Sequence, residues 1–142
     1  EKSLQMIFAA KESVPWADYI LEDILFPDKK RIGKFDIVVS TFTLHHISYE
    51  QQEKAIRNMF DFCSKDGTVL IVDRSFRSLA EKEKKVSELI EAGNLEFLEI
   101  IQSEYYLLSD QIENYIRYLG YQAKTLFFEE NIWGFLVDKK KV

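Results

Sequence analysis

The chain has 142 residues and a formal net charge of −5, with 46% hydrophobic and 14% aromatic residues. This length suits one domain with an apolar core, and the acidic balance argues against nucleic acid as a partner. No apolar run approaches the roughly 20 residues of a membrane span, and no basic, apolar leader opens the chain. The single cysteine cannot pair within the chain, which fits a reducing cytoplasm. Together, these features predict a cytoplasmic domain that binds neither membrane nor nucleic acid.

The first third of the sequence predicts one helix and two strands. Apolar residues repeat at helical spacing over residues 2–12, and Pro15 ends that helix. The largely apolar segment at residues 17–22 predicts a strand. Residues 35–40, with the sequence FDIVVS, form an almost unbroken apolar run. Such a run is typical of a strand that is buried on both faces.

Helices and strands continue to alternate downstream. Ser48 and Gln51 form a capping-box pattern at the start of an amphipathic helix. Ser109 is predicted to cap a later helix, which Gly120 ends with a left-handed cap. The other predicted elements are a turn at residues 65–67, a buried strand at 68–73, a charged helix at 79–92 that resumes after Gly93-Asn94 and runs to Ser103, and strands at 122–129 and 132–138.

This order of elements predicts an α/β fold. Alternating strands and helices with wholly apolar middle strands indicate a mostly parallel sheet with helices on both faces. The last two strands are separated by only a few residues, so they are expected to close the sheet as an antiparallel hairpin.

Polar residues follow the predicted strands at the edge where ligands of open parallel sheets bind. They are Asp23, the run Ser40-Thr41-Phe42, and Asp73. A carboxylate at such a place accepts hydrogen bonds from an amine or hydroxyl, each contributing roughly 1.5–3 kcal/mol. We expect Asp23 to contact a ligand. For Asp73 both a ligand contact and an ordinary role in the loop stay open.

Both histidines of the chain, His45 and His46, follow one of these strand ends. Each could pack a helix against the sheet, or line a pocket and handle a proton. We expect no metal site, because adjacent histidines should diverge and no cysteine or acidic cluster stands at ligand spacing. A hydrolase triad is not expected either, because no serine lies in a glycine-flanked elbow.

Other notable side chains have a packing interpretation. Cys63 lies on the apolar stripe of the helix that precedes the second buried strand, so we expect it in the core. Tyr105, Tyr106 and Trp133 could form one aromatic wall of a pocket, although aromatic residues at such spacing more often fill a core.

Several segments resemble class I S-adenosylmethionine-dependent methyltransferases. The run FDIVVSTFTLHHIS, a helix and then SKDGTVLIVD resemble the middle of that family, with a looser turn than the family's KPGG. YILEDIL is similar to the segment whose aspartate holds adenine, and LLSDQIENYIRYLGYQ with its hairpin is similar to the family's end. The SEYY element and the tryptophan of the last strand resemble small Bacillus-type members. The resemblance covers nearly the whole chain and implies a Rossmann-like fold, with residues 1–142 as the C-terminal portion of one methyltransferase domain.

The resemblance implies methyl transfer from S-adenosyl-L-methionine to a small-molecule acceptor. It also assigns roles to individual positions. The helical segment at residues 79–106 is expected to cover the acceptor pocket. The implied site residues are Asp23 and Ile24 at the adenine, Ser40, Thr41 and Phe42 beside the methionine part, His45 as the catalytic group that takes the acceptor's proton, and His46, Tyr105 and Tyr106 at the acceptor.

One part of the family pattern has no counterpart in this sequence. The glycine-rich cofactor loop and the strand with the ribose-binding acid would both precede Glu1. In the family's strand order, two strands separate residues 17–22 from residues 35–40, which leaves a gap of roughly 14 Å at about 4.8 Å per strand. A longer parent protein, a second chain, or direct pairing of the two segments could close it. We expect a longer parent protein, in which case this chain could lack activity by itself.

Two other functions stay open. The chain could be a non-catalytic domain that has lost its cofactor and acts through self-association, for example as a homodimer. It could also belong to a nucleotide-dependent oxidoreductase, although the LHH sequence has no evident part in hydride transfer.

Overall fold

The computed structural model describes residues 1–141, which form an alternating series of helices and strands. None of the helices in this range has both the length and the apolar character that a membrane span requires. The elements are α1 (Leu4–Ser13), α2 (Lys29–Ile32), β1 (Phe35–Thr41), a 3₁₀ turn (Leu44–His46), α3 (Tyr49–Phe62), β2 (Cys63–Phe76), α4 (Leu79–Glu91), α5 (Leu95–Ser103), β3 (Leu107–Leu108), α6 (Ser109–Tyr118), β4 (Lys124–Glu129) and β5 (Ile132–Asp138).

The strands form one mixed sheet in the order β1-β2-β5-β4, and β3 pairs with the end of β2. β1 and β3 run parallel to β2, whereas β5 is antiparallel to both β2 and β4. Every strand except β5 therefore points in the same direction. The predicted α/β fold with a mostly parallel sheet and a closing antiparallel hairpin is confirmed.

The main core lies between one face of this sheet and the helices α3 and α6. Ile56 of α3 and Ile116 of α6 pack in one cluster with Val69 and Phe135 of the sheet, and all four side chains are fully buried. Burial of an aliphatic or aromatic side chain of this kind contributes about 1.5–3 kcal/mol. Cys63 belongs to the same cluster and is 1% exposed, which confirms its predicted place in the core.

The outer face of β1 is exposed, and this corrects the prediction of a strand buried on both faces. Ile37 and Val39 are 67% and 53% exposed. Their register partners on β2 are Thr68 and Leu70, which flank the core residue Val69, so both side chains point away from α3 and α6. The apolar sequence shows that the strand is suited to burial, but no helix among the described residues covers this face of β1.

Residues 17–22 form no strand, so the strand predicted there is wrong. A strand exists only where a neighbouring strand accepts and donates its backbone hydrogen bonds. β1 pairs with β2 and not with this segment, and the amide of Glu22 instead donates to the carbonyl of Glu1 at 2.8 Å. Direct pairing of the two apolar segments, one of three explanations for the expected gap, is thereby excluded.

Two predicted local details are also corrected. Residues 65–67 lie within β2 rather than in a separate turn. A Cβ atom at Gly67 would approach the backbone oxygen of Asp36 to 2.7 Å, so only glycine lets β1 and β2 come this close. Ser109 is the first residue of α6 rather than its cap. Its hydroxyl donates instead to the carbonyl of Arg77 at 3.2 Å.

The other predicted helix ends are confirmed. Ser48 and Gln51 form a reciprocal capping box at the start of α3. Gly120 follows the end of α6 with a φ of 93°. The amide of Tyr121 donates back to the carbonyl of Ile116 at 3.1 Å, which completes a Schellman motif.

Candidate active site

The candidate site begins where β1 leaves the sheet. Thr41 is the last residue of β1 and pairs with Val72 of β2. Phe42 still donates its amide to the carbonyl of Val72 at 2.9 Å, but its φ is 48°. Left-handed backbone is uncommon outside glycine, and such residues cluster at functional sites. This turn directs the chain into the 3₁₀ turn that carries both histidines.

The buried carboxylate of Asp73 fixes that turn to the end of β2. Its Oδ2 accepts hydrogen bonds from the amides of Thr43 and Leu44 at 3.1 and 2.8 Å. Its Oδ1 accepts from the amide of Arg74 at 2.8 Å and from Nδ1 of His45 at 2.5 Å. Asp73 is 0% exposed, and these bonds replace the water that the carboxylate has lost. In this structure Asp73 is therefore an anchor for the loop.

The ring of His45 is held in one tautomer by this carboxylate. In the neutral ring, donation from Nδ1–H to Asp73 leaves the lone pair on Nε2. The ring is buried, with 3% exposure, and Nε2 lies 4.0 Å from Oε1 of Glu104. A carboxylate–histidine pair with a free Nε2 can accept a proton or a metal ion.

Backbone hydrogen bonds bring Glu104 beside His45. The amide of Tyr105 donates to the carbonyl of His45 at 2.8 Å. The side chain of Gln52 then donates to the carbonyls of Tyr105 and Leu44 at 2.7 and 3.1 Å, although Gln52 is 1% exposed. Sequence reasoning missed both Gln52 and Glu104. Only their positions beside recognised motifs could have drawn attention to them. Gln52 follows the capping box, and Glu104 lies in the SEYY element.

Arg74 contacts both Glu104 and Tyr106 on the side of Glu104 away from His45. Nη1 of Arg74 lies 3.1 Å from Oε2 of Glu104 and donates to the hydroxyl of Tyr106 at 3.4 Å. Burial raises the pKa of the Tyr106 phenol, and the charge of Arg74 opposes part of that rise. The ring of Tyr106 is 2% exposed and stacks on Phe76 at a centroid distance of 5.4 Å. Tyr106 therefore packs in the core behind the site.

His45, His46 and Glu104 could together hold a metal ion. One ligand atom of each residue lies within 4.8 Å of the others. The ring centroids of the two histidines are 3.9 Å apart. The sequence argument against a metal site assumed that adjacent histidines diverge, but these two rings stay together.

The residues expected to contact the acceptor lie around the 3₁₀ turn at Leu44–His46, which we call the histidine turn. Tyr105 is 43% exposed, and its ring meets Tyr49 edge-on at a centroid distance of 5.6 Å. His46 is exposed beside the buried His45. The residues grouped at this strand end are Ser40, Thr41, Phe42, His45, His46, Tyr105 and Tyr106. Whether they bind an acceptor or a cofactor stays a prediction.

Ile24 contacts α3, and Asp23 precedes it in the chain. The carbonyl of Ile24 accepts a hydrogen bond from the side chain of Asn58 at 2.7 Å. The Oδ2 atom of Asp23 lies 3.9 Å from the ammonium group of Lys2. Among residues 1–141, no hydrogen bond or ion pair joins either residue to the histidine turn. The shared hollow expected between Asp23 and Thr41 therefore stays a prediction.

Comparisons with known proteins agree on one family. The sequence model of a family described as "Methyltransferase domain" matches residues 1–71, which is half of the chain. An uncharacterised methyltransferase of Alkaliphilus oremlandii is 25% identical over 133 residues, covering 94% of this chain and 61% of that protein. An uncharacterised methyltransferase of Staphylococcus carnosus is 33% identical over 109 residues, covering 74% of this chain and 51% of that protein.

A solved structure has the same fold. The complex of DhpI with SAH matches with a TM-score of 0.66 over 96% of this chain and 62% of that one, at 14% identity. At this identity the likeness shows the fold alone. The chain spans about half to three fifths of the length of the two curated relatives, 51% and 61%. None of these matches supports the non-catalytic or oxidoreductase alternatives.

Proposed function

The chain belongs to the methyltransferase domain family, and on that premise we propose that its protein transfers a methyl group from S-adenosylmethionine to a small-molecule acceptor. The observation that carries the proposal is the pair of Asp73 and His45, with Nδ1 and Oδ1 at 2.5 Å. This pair lies at the carboxyl ends of β1 and β2, where open parallel sheets bind their ligands.

The residues of this chain fit part of the cofactor. The side chain of Asp23 is 35% exposed, and Lys2 is the ion-pair partner of its Oδ2 within residues 1–141, at 3.9 Å. That oxygen is available to accept a hydrogen bond from the adenine amino group. Thr41 and Phe42 are exposed at the strand exit and would border the methionine part. None of the five glycines forms a Gly-x-Gly pattern, so the proposal concerns the whole protein that carries this chain.

When bound, S-adenosylmethionine supplies an electrophilic methyl group, which leaves two tasks for the protein. The first is to align the acceptor, and such orientation can lower a barrier by about 7–11 kcal/mol. The second is to remove the acceptor's proton. His45 takes it at Nε2, while Asp73 holds Nδ1–H and stabilises the resulting imidazolium. A general base of this kind contributes about 10²–10⁴-fold in rate.

The acceptor would approach from the exposed side of the histidine turn. His46 and Tyr105 are exposed there, and they offer a ring nitrogen and an aromatic face to a small molecule. Tyr106 packs in the core behind these two residues, and its hydroxyl accepts a hydrogen bond from Arg74. The acceptor would be a small molecule with a hydroxyl, amine or thiol group, because such a group carries a proton that His45 can remove.

Calorimetry with S-adenosylhomocysteine tests this function in the whole protein. The Asp23→Ala variant should bind the ligand at least about tenfold more weakly, because a hydrogen bond to a charged acceptor contributes about 1.5–3 kcal/mol. Asp18→Ala, an exposed residue of the same segment, is the matched control and should bind as the wild type does. Unchanged binding by Asp23→Ala would remove the adenine assignment, and no binding by the wild type would remove the function.

A further inference from the structure

We propose that His45, His46 and Glu104 form a binding site for a divalent transition-metal ion, with zinc as the best match. The three residues offer two imidazole nitrogens and one carboxylate oxygen within 4.8 Å of one another. Two histidines and one glutamate are a ligand set that zinc uses in proteins, with a fourth position left for water or substrate. Because His46 is exposed, that fourth position would face solvent.

The hydrogen bond from His45 to Asp73 is the strongest support for this site. Histidines that bind metals almost always donate their other ring N–H to a carboxylate, carbonyl or water, which fixes the tautomer and raises the basicity of the ligating nitrogen. Nδ1 of His45 lies 2.5 Å from the carboxylate of Asp73, and the two side chains are 4% and 0% exposed. Nε2 of His45 faces Glu104, and Asp73 already holds the other ring nitrogen in the way that a metal-binding histidine requires.

The charges near Nε2 also favour a cation. Asp73 and Glu104 carry two negative charges, and Arg74 offsets one of them. The guanidinium of Arg74 lies 3.1 Å from Oε2 of Glu104 and leaves Oε1 on the side of His45. With both histidines neutral, the group keeps one net negative charge, which attracts a cation.

Only a small closure is needed to bind the ion. Ligand atoms about 2.1 Å from a tetrahedral zinc lie about 3.4 Å from one another. Nε2 of His45 and Oε1 of Glu104 are 4.0 Å apart. All three ligand atoms lie within 4.8 Å of one another, so no separation would have to shorten by more than about 1.4 Å. Two of the three side chains are not buried, since that of Glu104 is 20% exposed and His46 is exposed.

Metal binding at this site would compete with the chemistry proposed above. An ion on Nε2 of His45 occupies the lone pair that would otherwise take the acceptor's proton. Added zinc should therefore inhibit methyl transfer, and this consequence rests on the proposed function. The binding of the ion itself does not rest on it.

The test is a calorimetric titration of zinc chloride into the whole protein after treatment with a chelator. We expect one ion to bind at this site. The His46→Ala and Glu104→Gln variants should each lose affinity by at least about tenfold, since even removing a hydrogen-bond partner of a metal ligand weakens binding by about 10–100-fold. Cobalt should give the visible d–d absorption of a tetrahedral site in the wild type and lose it in both variants.

Two controls make the result specific. Glu99→Gln removes an exposed carboxylate of α5, and Cys63→Ser removes the only thiol of the chain; both should bind zinc as the wild type does. Circular dichroism reports whether each variant folds, and His46→Ala changes only an exposed side chain. No zinc binding by the wild type, or equal affinity in the wild type, His46→Ala and Glu104→Gln, would overturn the proposal.

Binding of S-adenosylhomocysteine, measured on the same samples, separates this inference from the proposed function. If the wild type binds S-adenosylhomocysteine but not zinc, only the metal site is overturned. If the wild type binds zinc but not S-adenosylhomocysteine, only the proposed function is overturned.

Discussion

At the residue scale, Asp73 determines where the histidine turn lies. Its carboxylate accepts hydrogen bonds from three successive parts of that turn, the amides of Thr43 and Leu44 and the ring of His45. A strand-terminal aspartate is common in loops, so the sequence left its role open. What distinguishes Asp73 is complete burial, which requires that every oxygen lone pair find a donor within the protein.

Removing this carboxylate should destabilise the fold. We expect Asp73→Ala to lower the free energy of unfolding by at least about 3 kcal/mol, because hydrogen bonds to a charged group contribute about 1.5–3 kcal/mol each. Asp66→Ala removes an exposed carboxylate from the same strand and should change stability by less than about 0.5 kcal/mol. Urea unfolding measures both. Equal stability of the two variants would contradict the anchor role.

At the element scale, the sequence predicted best those features that depend on neighbouring residues. The capping box at Ser48, the break at Gly93-Asn94 and the short hairpin link each involve a few adjacent residues, and all appear in the structure. The strand expected at residues 17–22 failed because pairing depends on a partner elsewhere in the chain. β-propensity describes how well a segment suits a sheet, whereas a strand forms only if a neighbouring strand is available to pair with it.

The end of α6 offers a local test at this scale. Gly120 has a φ of 93°, where a side chain with a Cβ atom is strained. Gly120→Ala should lower the free energy of unfolding by about 1–2 kcal/mol, and Gly120→Asn by less, because asparagine tolerates left-handed backbone better. Thermal or urea unfolding of both variants checks the order. A stability for Gly120→Ala equal to that of the wild type would contradict the cap.

At the scale of the whole molecule, the candidate site is assembled from segments far apart in sequence. The sequence located the histidines at a strand exit, because the apolar run before them is a strong local pattern. It did not find Glu104, which is brought beside His45 by the backbone contact of Tyr105 and by the side chain of Gln52. Contacts of this kind depend on how α5 and β3 pack against the sheet, and no local sequence pattern specifies that packing.

The apolar outer face of β1 is also a feature of the whole molecule, because a segment outside this sheet would have to cover it. Phe35, Ile37 and Val39 are 48%, 67% and 53% exposed, and contiguous apolar surface on a protein usually marks an interaction. A preceding segment of a longer protein or a second chain could cover it. Either cover would adjoin the strand exit at Thr41, which is where the methionine part of the cofactor is proposed to lie.

The most direct test of the central claim is amide hydrogen exchange of the whole protein with and without S-adenosylhomocysteine. If the cofactor binds at the exits of β1 and β2, the ligand should slow exchange in residues 21–26 and 40–46 and leave the hairpin of β4 and β5 unchanged. Protection confined to the hairpin, or no change in residues 40–46 at saturating ligand, would contradict the account.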